Sequence, residues 1–309
     1  MKKVFIDGSA GTTGLRIAER LSTRSDIELM HIPEELRKDN SARSGMINSA
    51  DIVFLCLPDD AAREAVSMVS NPDVCIIDTS TAHRTADGWT YGFAEIGNLE
   101  DRIAGSKRIA NPGCHASGFI SLVAPLVEYG ILDKDVALTC FSLTGYSGGG
   151  KKMIAQYEDG SRDSLLDAPR QYGLSQKHKH LPEMAKVCGL TADPVFCPIV
   201  APYYSGMQVT VPIFKSMVHS GIEDIENVYK KYYHGPVVKY AGNADQCGFM
   251  SAGLFSGRDD MLISVFGNDD RILLVSTFDN LGKGASGAAI QNMNLVLGID
   301  QTTGLNIGG

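Results

Sequence analysis

A strand, a glycine-rich turn and a helix follow one another directly at the amino terminus, and this unit restricts the fold more than any other segment. The apolar run at 4–6 leads into DGSAGTTG at 7–14, after which apolar residues recur at helical spacing. Such a strand-turn-helix unit is typical of the start of a parallel α/β sheet. Further apolar runs lie at 27–32, 52–57 and 74–77, with a helical pattern at 61–69. Because these runs are apolar on both faces, they predict a doubly wound, Rossmann-type domain.

The glycines of the turn have a spacing that suits phosphate binding. Gly8, Gly11 and Gly14 lie three residues apart, which is close to the dinucleotide-binding fingerprint. Glycine permits a tight turn and lets the backbone approach a pyrophosphate over the helix N-terminus, where Thr12 and Thr13 add hydroxyl donors. We therefore predict that these five residues bind a dinucleotide.

The residues after the second predicted strand leave the choice of dinucleotide open. Glu34 lies twenty positions beyond Gly14, about where an acid would hold the ribose 2′-hydroxyl of NAD. Arg37, Lys38 and Arg43 follow closely and suit the 2′-phosphate of NADP instead. The pattern favours NADP slightly, with Arg37 as the predicted ligand.

One cysteine stands where a helix is expected to begin. The segment NPGCHASG at 111–118 places Cys114 after a strand-like run and a Pro-Gly turn, ahead of a helix predicted over 117–129. A thiol at a helix N-terminus faces unpaired backbone N–H groups and the positive end of the helix dipole, which favour the thiolate. The same N–H groups can hold an oxyanion. We predict that Cys114 is a nucleophile, with its own N–H and the Asn111 side chain as oxyanion donors.

A thiolate nucleophile needs a partner that moves protons, and two histidines are candidates. His178 and His180 lie in QKHKHLPE at 176–183, two residues apart. This spacing does not place them on one helix face, so it is not a helical zinc pair. We expect an extended approach to a helix that begins near Pro182, with one histidine pointing inward and the other outward.

The second half of the chain has a different pattern. Apolar and polar residues alternate at 208–214, as in a half-buried antiparallel strand. The loop GKGASG at 282–287 precedes a helix at 288–297, which we expect to pack on the first domain. The small residues of this loop suit close approach to a cofactor. Other predicted strands lie at 136–143, 262–267 and 272–278.

Composition excludes some classes of function. The net charge is −8 and no block of Lys and Arg occurs, which argues against a nucleic-acid partner. The seven cysteines form no C-x-x-C pair, so we expect reduced thiols and no metal site. The chain enters a strand without a signal-peptide pattern and has no uncharged apolar stretch of about 18 residues. We therefore expect a cytoplasmic protein without membrane contact.

These motifs together resemble the N-acetyl-gamma-glutamyl-phosphate reductase family. The resemblance rests on NPGCH at 111–115, KHKHLPE at 177–183, GKGASGAAIQNMN at 282–294 and the N-terminal glycine loop, and IPEELRKD at 32–39 is similar to the shorter, type 2 class. It implies NADP(H), arginine biosynthesis, an α+β catalytic domain of the semialdehyde dehydrogenase type, and a homodimer or homotetramer. The implied domains are 1–113, completed by a C-terminal helix 285–309, for the cofactor and 114–284 for catalysis and oligomerisation.

The resemblance also assigns site residues. The family nucleophile falls on Cys114 and the catalytic histidine on His180, with His178 as the alternative. Two segments match family segments near the substrate: DTSTAHR at 78–84, which contains Arg84, and SGGGK at 147–151, which contains Ser147. Asn111 and His178 are further predicted substrate-binding residues. Further cofactor contacts are implied at Pro58, Ser80, Asn280 and Gly284.

The residues also define a reaction by themselves. A Cys114 thiolate would attack an acyl phosphate and release phosphate, hydride transfer would reduce the thioester, and a histidine would move the proton as the thiohemiacetal becomes an aldehyde. Arg84 could bind phosphate or carboxylate. Three alternatives stay open: an aspartate-semialdehyde dehydrogenase-like enzyme of the same fold, a thiol acyltransferase or hydrolase without a redox step, and a nucleotide-sensing protein without catalysis.

Overall fold

The computed structural model describes residues 1–308, which divide into two compact units. Unit 1 consists of Met1–Ala94, Asn98–Pro112 and Ala285–Leu305. Unit 2 consists of Glu95–Gly97, Gly113–Gly284 and the described residues of the carboxyl terminus from 306 onward. No helix within residues 1–308 is long and apolar enough to cross a membrane.

Thirteen strands and nine α-helices make up the described chain. The strands are β1 Lys2–Asp7, β2 Ile27–Met30, β3 Ile52–Leu55, β4 Cys75–Asp78, β5 Thr90–Tyr91, β6 Arg108–Ala110, β7 Thr139–Gly145, β8 Arg170–Gln171, β9 Val195–Ala201, β10 Met207–Phe214, β11 Val238–Tyr240, β12 Met261–Gly267 and β13 Arg271–Phe278. The helices are α1 Thr12–Ser22, α2 Asn40–Ser49, α3 Asp59–Ser67, α4 Leu99–Ala104, α5 Cys114–Glu128, α6 Gly150–Glu158, α7 Leu181–Cys188, α8 Ile222–Tyr232 and α9 Gly287–Leu297.

Unit 1 contains the predicted doubly wound sheet. Its six strands are all parallel, in the order β2-β1-β3-β4-β6-β5. Every residue of β3 and β4 is buried, as expected for central strands with both faces covered. The carboxyl ends of β1, β3 and β4 lie side by side, so the loops that follow them form one edge.

Unit 2 is built on a mixed sheet of seven strands in the order β11-β12-β13-β10-β7-β9-β8. As predicted for 208–214, β10 pairs antiparallel with both neighbours and alternates between buried and half-buried residues. Helices α5 and α8 pack on one face of this sheet. A side chain at Gly118 of α5 would come within 2.3 Å of the Val209 side chain, so glycine is needed for helix and sheet to approach this closely.

Several predicted boundaries differ from the structure. The helix predicted over 117–129 begins three residues earlier, at Cys114, because the turn before it already caps the helix. The predicted strands 27–32 and 52–57 both end two residues early. The final helix ends at Leu297 because Gly298, at φ +66°, adopts a left-handed cap. The predicted C-terminal helix 285–309 is therefore too long, because turns and irregular backbone follow from 298 to 308; residue 309 lies outside the described residues.

The two units also divide the chain slightly differently from the predicted domains. Residues Glu95–Gly97, Gly113 and 306–308, all predicted in the first domain, group with unit 2. The Glu95 carboxylate pairs with the buried Lys283 ammonium at 2.6 Å, and the Gly97 N–H donates to the Tyr232 hydroxyl at 2.6 Å. These long-range contacts have no local sequence signal.

Candidate active site

Two of the three glycines in the turn of unit 1 have no space for a larger side chain. Gly8 has φ +91°, and a Cβ there would lie 2.3 Å from the Cys56 carbonyl oxygen. A Cβ at Gly14 would lie 2.5 Å from the Gly8 carbonyl oxygen. Gly11, the N-cap of α1, has room for a Cβ, so its contribution is the absence of a side chain over the helix end.

The start of α1 can accept an anion. No side chain caps this helix and no acidic residue lies in its first turn, so its first N–H groups face outward without a competing charge. The buried Thr12 hydroxyl has no hydrogen-bond partner among the described residues, whereas the structure gives no specific contact for Thr13. Beside the turn lies a cavity of about 720 Å³, lined by Gly8 and by residues of the 34–43 segment. This arrangement fits the diphosphate of a dinucleotide.

The charged residues of the 34–43 segment divide into two groups. Arg43 is buried and its guanidinium bonds to the carboxylates of Asp7 and Glu64, which opposes its predicted contact with a 2′-phosphate. Arg37 and Lys38 line the cavity nearer the surface. Arg37 pairs with Glu34, and both side chains are exposed. Such a pair contributes little stability, so a phosphate could replace it.

A buried aspartate organises the loop after β4. The Asp78 carboxylate accepts from the Ser80 N–H and hydroxyl and lies 2.6 Å from His83 Nδ1. The predicted cofactor residue Ser80 thus has its hydroxyl bonded inside the loop. Pro58 is the N-cap residue of α3 on the same sheet edge.

Arg84 and Asn111 lie together within unit 1. The Arg84 guanidinium donates to the carbonyl oxygens of Asn111 and Thr79. The Asn111 side chain is buried, donates to the Ala285 carbonyl oxygen at 3.1 Å and accepts from Asn292. Its predicted role as an oxyanion donor stays a prediction.

In unit 2 the thiol lies at the helix start that the sequence predicts. Cys114 is the first residue of α5, is half-exposed and has no acidic neighbour in the first helical turn. The preceding residue, Gly113, donates its backbone N–H to the buried Glu183 carboxylate at 3.2 Å. A Cβ at Gly284 would lie 2.9 Å from the Cys114 Cβ, so this glycine gives the cysteine room. The predicted contact of Gly284 with the cofactor stays a prediction.

Both candidate histidines lie beside the start of α5. The rings of His178 and His180 are 5.9 and 5.3 Å from the ring of His115, the residue after the cysteine, and 4.8 Å from each other. The expectation that one would point inward and the other outward is wrong. The segment forms a turn rather than an extended strand, since the Leu181 N–H bonds to the His178 carbonyl oxygen.

The two histidines differ in their surroundings. His180 is buried, and its Nε2 lies 3.8 Å from the equally buried Glu183 carboxylate. His178 is half-buried, and burial together with the positive charge of Lys179 lowers its pKa. A histidine next to a carboxylate is better suited to carry a proton.

Ser147 and Asn280 form one hydrogen-bonded cluster in unit 2. The Asn280 amide donates to the Ser147 hydroxyl at 3.0 Å and accepts from the Gly206 N–H at 2.9 Å. Both side chains are buried. The cluster holds the loop after β7 to the loop after β13, and substrate or cofactor contact at either residue stays a prediction.

Sequence reasoning missed four residues near the thiol. They are His115, Ser142, Tyr172 and Glu183. Glu183 had a usable signal, because it lies three residues after His180 at the start of a predicted helix and therefore on the same side. His115 directly follows Cys114 on α5, whereas Ser142 lies on β7 and Tyr172 lies after β8, and no sequence spacing connects these three residues.

Two family models match the chain. The semialdehyde dehydrogenase NAD binding domain matches residues 3–104, and the semialdehyde dehydrogenase dimerisation domain matches residues 114–280. The fold is similar to that of aspartate semialdehyde dehydrogenase II from Vibrio cholerae, with a TM-score of 0.72 and 16% identity over 96% of this chain and 98% of that one. A Candida albicans aspartate semialdehyde dehydrogenase with NADP gives a TM-score of 0.65 at 16% identity, with the same coverage. At such identity the likeness shows the fold.

Relatives at higher identity are named N-acetyl-gamma-glutamyl-phosphate reductase. The N-acetyl-gamma-glutamyl-phosphate reductase of Sinorhizobium medicae (strain WSM419) is 46% identical over 96% of this chain and 98% of its own length. N-acetyl-gamma-glutamyl-phosphate reductase 2 of Nostoc sp. (strain PCC 7120) is 43% identical over 98% and 99%, and its namesake in Pseudomonas putida (strain KT2440) is 42% identical over 97% and 98%. With the glycine turn, the thiol at the helix start and the buried histidine in place, this chain belongs to the N-acetyl-gamma-glutamyl-phosphate reductase family.

Proposed function

We infer that the chain reduces N-acetyl-gamma-glutamyl phosphate to N-acetylglutamate semialdehyde and phosphate, with NADPH as the reductant, in arginine biosynthesis. Family membership supports the reaction. The observation that carries the mechanism is the half-buried Cys114 thiol at the N-terminus of α5, whose next residue, His115, packs with its ring 5.3 Å from that of the buried His180.

The residues of unit 1 fit NADP(H). Gly8 and Gly14 permit the tight turn, Gly11 leaves the space over the start of α1 clear, and the Thr12 hydroxyl is an unused buried donor there. We assign the diphosphate to this turn and the 2′-phosphate to Arg37. When bound, NADPH supplies the hydride that reduces the thioester.

Cys114 performs the first chemical step. Its thiolate attacks the acyl carbon, the bond from that carbon to the phosphate oxygen breaks, and phosphate leaves with the electron pair. A thioester on Cys114 results. Because acyl phosphates are already activated, the protein mainly has to orient the substrate and stabilise an oxyanion, which the N–H groups at the start of α5 can do. We assign substrate binding to Arg84, Asn111, Ser147 and His178.

His180 handles the proton of the second stage. After reduction, the oxygen on the substrate carbon bound to Cys114 takes a proton from His180 and returns it to His180 as the carbon–sulfur bond breaks, the sulfur leaves as a thiolate and the aldehyde forms. The Glu183 carboxylate lies 3.8 Å from His180 Nε2, and we assign it the role of orienting the imidazole ring. The same carboxylate holds the Gly113 N–H, so one residue links the acid–base group to the nucleophile's helix.

The sheet of unit 2 supports an oligomer. The face opposite α5 and α8 carries exposed apolar side chains at Phe141, Val195, Phe214 and Leu273, which the strand registers place on one side. We propose that a second copy of the chain covers this face, as the name of the matched dimerisation domain suggests. The free cysteines further support a reducing compartment, and we propose the cytoplasm.

The reaction is tested in the direction of acyl phosphate formation. Purified protein is given N-acetylglutamate semialdehyde, phosphate and NADP, and NADPH formation is followed by absorbance. We expect phosphate-dependent activity that is lost in Cys114→Ser and kept in Cys247→Ser, which changes an exposed cysteine of the same unit. Activity with aspartate semialdehyde in place of the acetylated substrate would contradict the substrate assignment, and no activity with either would contradict the reaction.

A further inference from the structure

The buried imidazole of His115 joins two hydroxyl groups behind the thiol. Its Nδ1 lies 2.7 Å from the Ser142 hydroxyl on β7, and its Nε2 lies 2.6 Å from the Tyr172 hydroxyl after β8. His115 is 3% exposed and directly follows Cys114 on α5. These contacts place the Tyr172 hydroxyl beside the start of the helix that carries the nucleophile.

The protonation state of His115 follows from its surroundings. Burial, with smaller contributions from the positive charges of His178 and Lys179, lowers the pKa of His115 to about 3. The ring is therefore neutral at physiological pH, with a proton on one nitrogen only. One of its two hydrogen bonds must be donated by the ring and the other accepted.

The Ser142 hydroxyl decides which nitrogen carries the proton. Among the described residues its hydrogen-bond partner is His115 alone. If His115 Nδ1 donated to Ser142, the buried serine proton would have no acceptor, at a cost of about 1–3 kcal/mol. Ser142 therefore donates to Nδ1, and Nε2–H donates to the Tyr172 oxygen. The Tyr172 proton is then free to point away from His115.

Tyr172 keeps that proton. Burial raises its pKa well above the ordinary value, and the negative charge of a Cys114 thiolate raises it further. The tyrosine oxygen is thus held as an acceptor by His115 and has one O–H to donate within electrostatic reach of the sulfur.

We propose that His115 is a positioning residue which, anchored by Ser142, orients the Tyr172 hydroxyl to donate a hydrogen bond to the Cys114 sulfur. The inference rests on Cys114 being the nucleophile of the proposed function. A hydrogen bond to the charged form of a group favours that form, so the donor stabilises the thiolate before attack and again when the thiolate leaves the aldehyde. Tyr172 touches the reacting atom, whereas His115 acts through it.

The thiol titrates among several other groups. His178 and His180 pack on the ring of His115 from the turn before α7, and Glu183 of α7 bonds to the Gly113 N–H. Tyr172 interacts electrostatically with Cys114 from the segment after β8, with Lys179 acting from farther away. The ion pair of the buried Lys283 with Glu95 lies next to Gly284, which borders Cys114. None of the variants below changes a charged group of this set. A shift in the thiol midpoint therefore reports the hydrogen bond rather than a changed neighbouring charge.

The test measures the rate of Cys114 alkylation by iodoacetamide against pH, by mass spectrometry of the peptide that contains this cysteine. His115→Leu removes both ring nitrogens, and Tyr172→Phe removes only the hydroxyl. His115→Gln retains an amide N–H that can reach Tyr172. Phe196→Leu is the matched control, because this buried ring packs on His115 at 5.3 Å without a hydrogen bond to it.

We expect the midpoint to rise by about one pH unit in His115→Leu and Tyr172→Phe, in line with the loss of a hydrogen bond to a charged group. It should stay within about 0.3 unit of wild type in His115→Gln and Phe196→Leu. An unchanged midpoint in Tyr172→Phe overturns the proposal, and so does an equal rise in Phe196→Leu, which would indicate a packing effect. If His115→Leu does not fold, the midpoints of Tyr172→Phe and His115→Gln still test the proposal.

This titration needs neither acyl phosphate nor NADPH. A wild-type protein without reductase activity would contradict the proposed function and leave the midpoints interpretable. Normal activity with identical midpoints in all variants would contradict only the role of His115.

Discussion

At the scale of single residues, the reactive thiol is distinguished from other cysteines by its position. Burial raises the pKa of Cys56 to about 12 and that of Cys75 to about 11, and it also raises the pKa values of Cys140 and Cys188. These thiols stay protonated and unreactive. Cys114 is partly exposed and, unlike those four cysteines, is the first residue of a helix, so the helix dipole favours its charged form.

The two histidines near the thiol are expected to contribute unequally. His180→Asn should lower kcat by about 10²–10⁴-fold, the usual range for loss of a general acid–base group, because this ring is buried and lies 3.8 Å from the Glu183 carboxylate. His178→Asn should mainly raise KM for the acyl phosphate and lower kcat by less than tenfold. Steady-state kinetics of both variants provide the comparison, and equal losses of kcat would contradict the assignment.

At the scale of elements, two helix N-termini perform related tasks in the two units. The start of α1 follows a glycine turn that leaves room for a diphosphate, and the start of α5 carries the nucleophile with its N-cap held by Glu183. In both, the helix start is the positive end of the helix dipole, which favours a negative charge placed there. Local sequence predicted both starts, because turn residues and glycine spacing act over a few residues.

The glycine turn gives a direct test of the cofactor site. Gly8→Ala should weaken NADPH binding at least tenfold, because φ +91° and a Cβ 2.3 Å from the Cys56 carbonyl oxygen force the turn to move. Gly45→Ala is the control: this residue is exposed within α2 with no atom near its Cβ position. It should leave binding unchanged and stabilise the fold by about 0.5–1 kcal/mol. Fluorescence titration with NADPH checks both, and equal Kd values for Gly8→Ala and wild type would contradict the assigned turn.

At the scale of the whole molecule, the sequence predicts periodic and local features better than long-range contacts. The parallel sheet, the antiparallel strand β10 and the cysteine at a helix start all follow from patterns of a few residues. The contact of Glu183 with Gly113 spans 70 positions, and those of His115 with Ser142 and Tyr172 join α5 to two other parts of unit 2. Such contacts depend on how strands and helices pack, which single-sequence periodicity does not contain.

The exposed apolar sheet face of unit 2 predicts that the protein is at least a dimer in solution. Light scattering should give at least twice the chain mass of 33.2 kDa, because a second copy buries the apolar face. Phe141→Glu, at a side chain 43% exposed on that face, should shift the protein toward the monomer. Leu174→Glu is the control, since this leucine is 74% exposed outside the sheet. A monomeric wild type, or the same shift in the control, would contradict the proposed interface.

The account depends most on a thioester at Cys114, and a single-turnover experiment without NADPH detects it directly. The protein is mixed with N-acetyl-gamma-glutamyl phosphate and quenched in acid, and released phosphate and peptide masses are measured. We predict about one phosphate released per chain and the acyl mass on the peptide that contains Cys114, with neither in Cys114→Ser. Phosphate release without acylation of Cys114, or the acyl group on another residue, would contradict the mechanism.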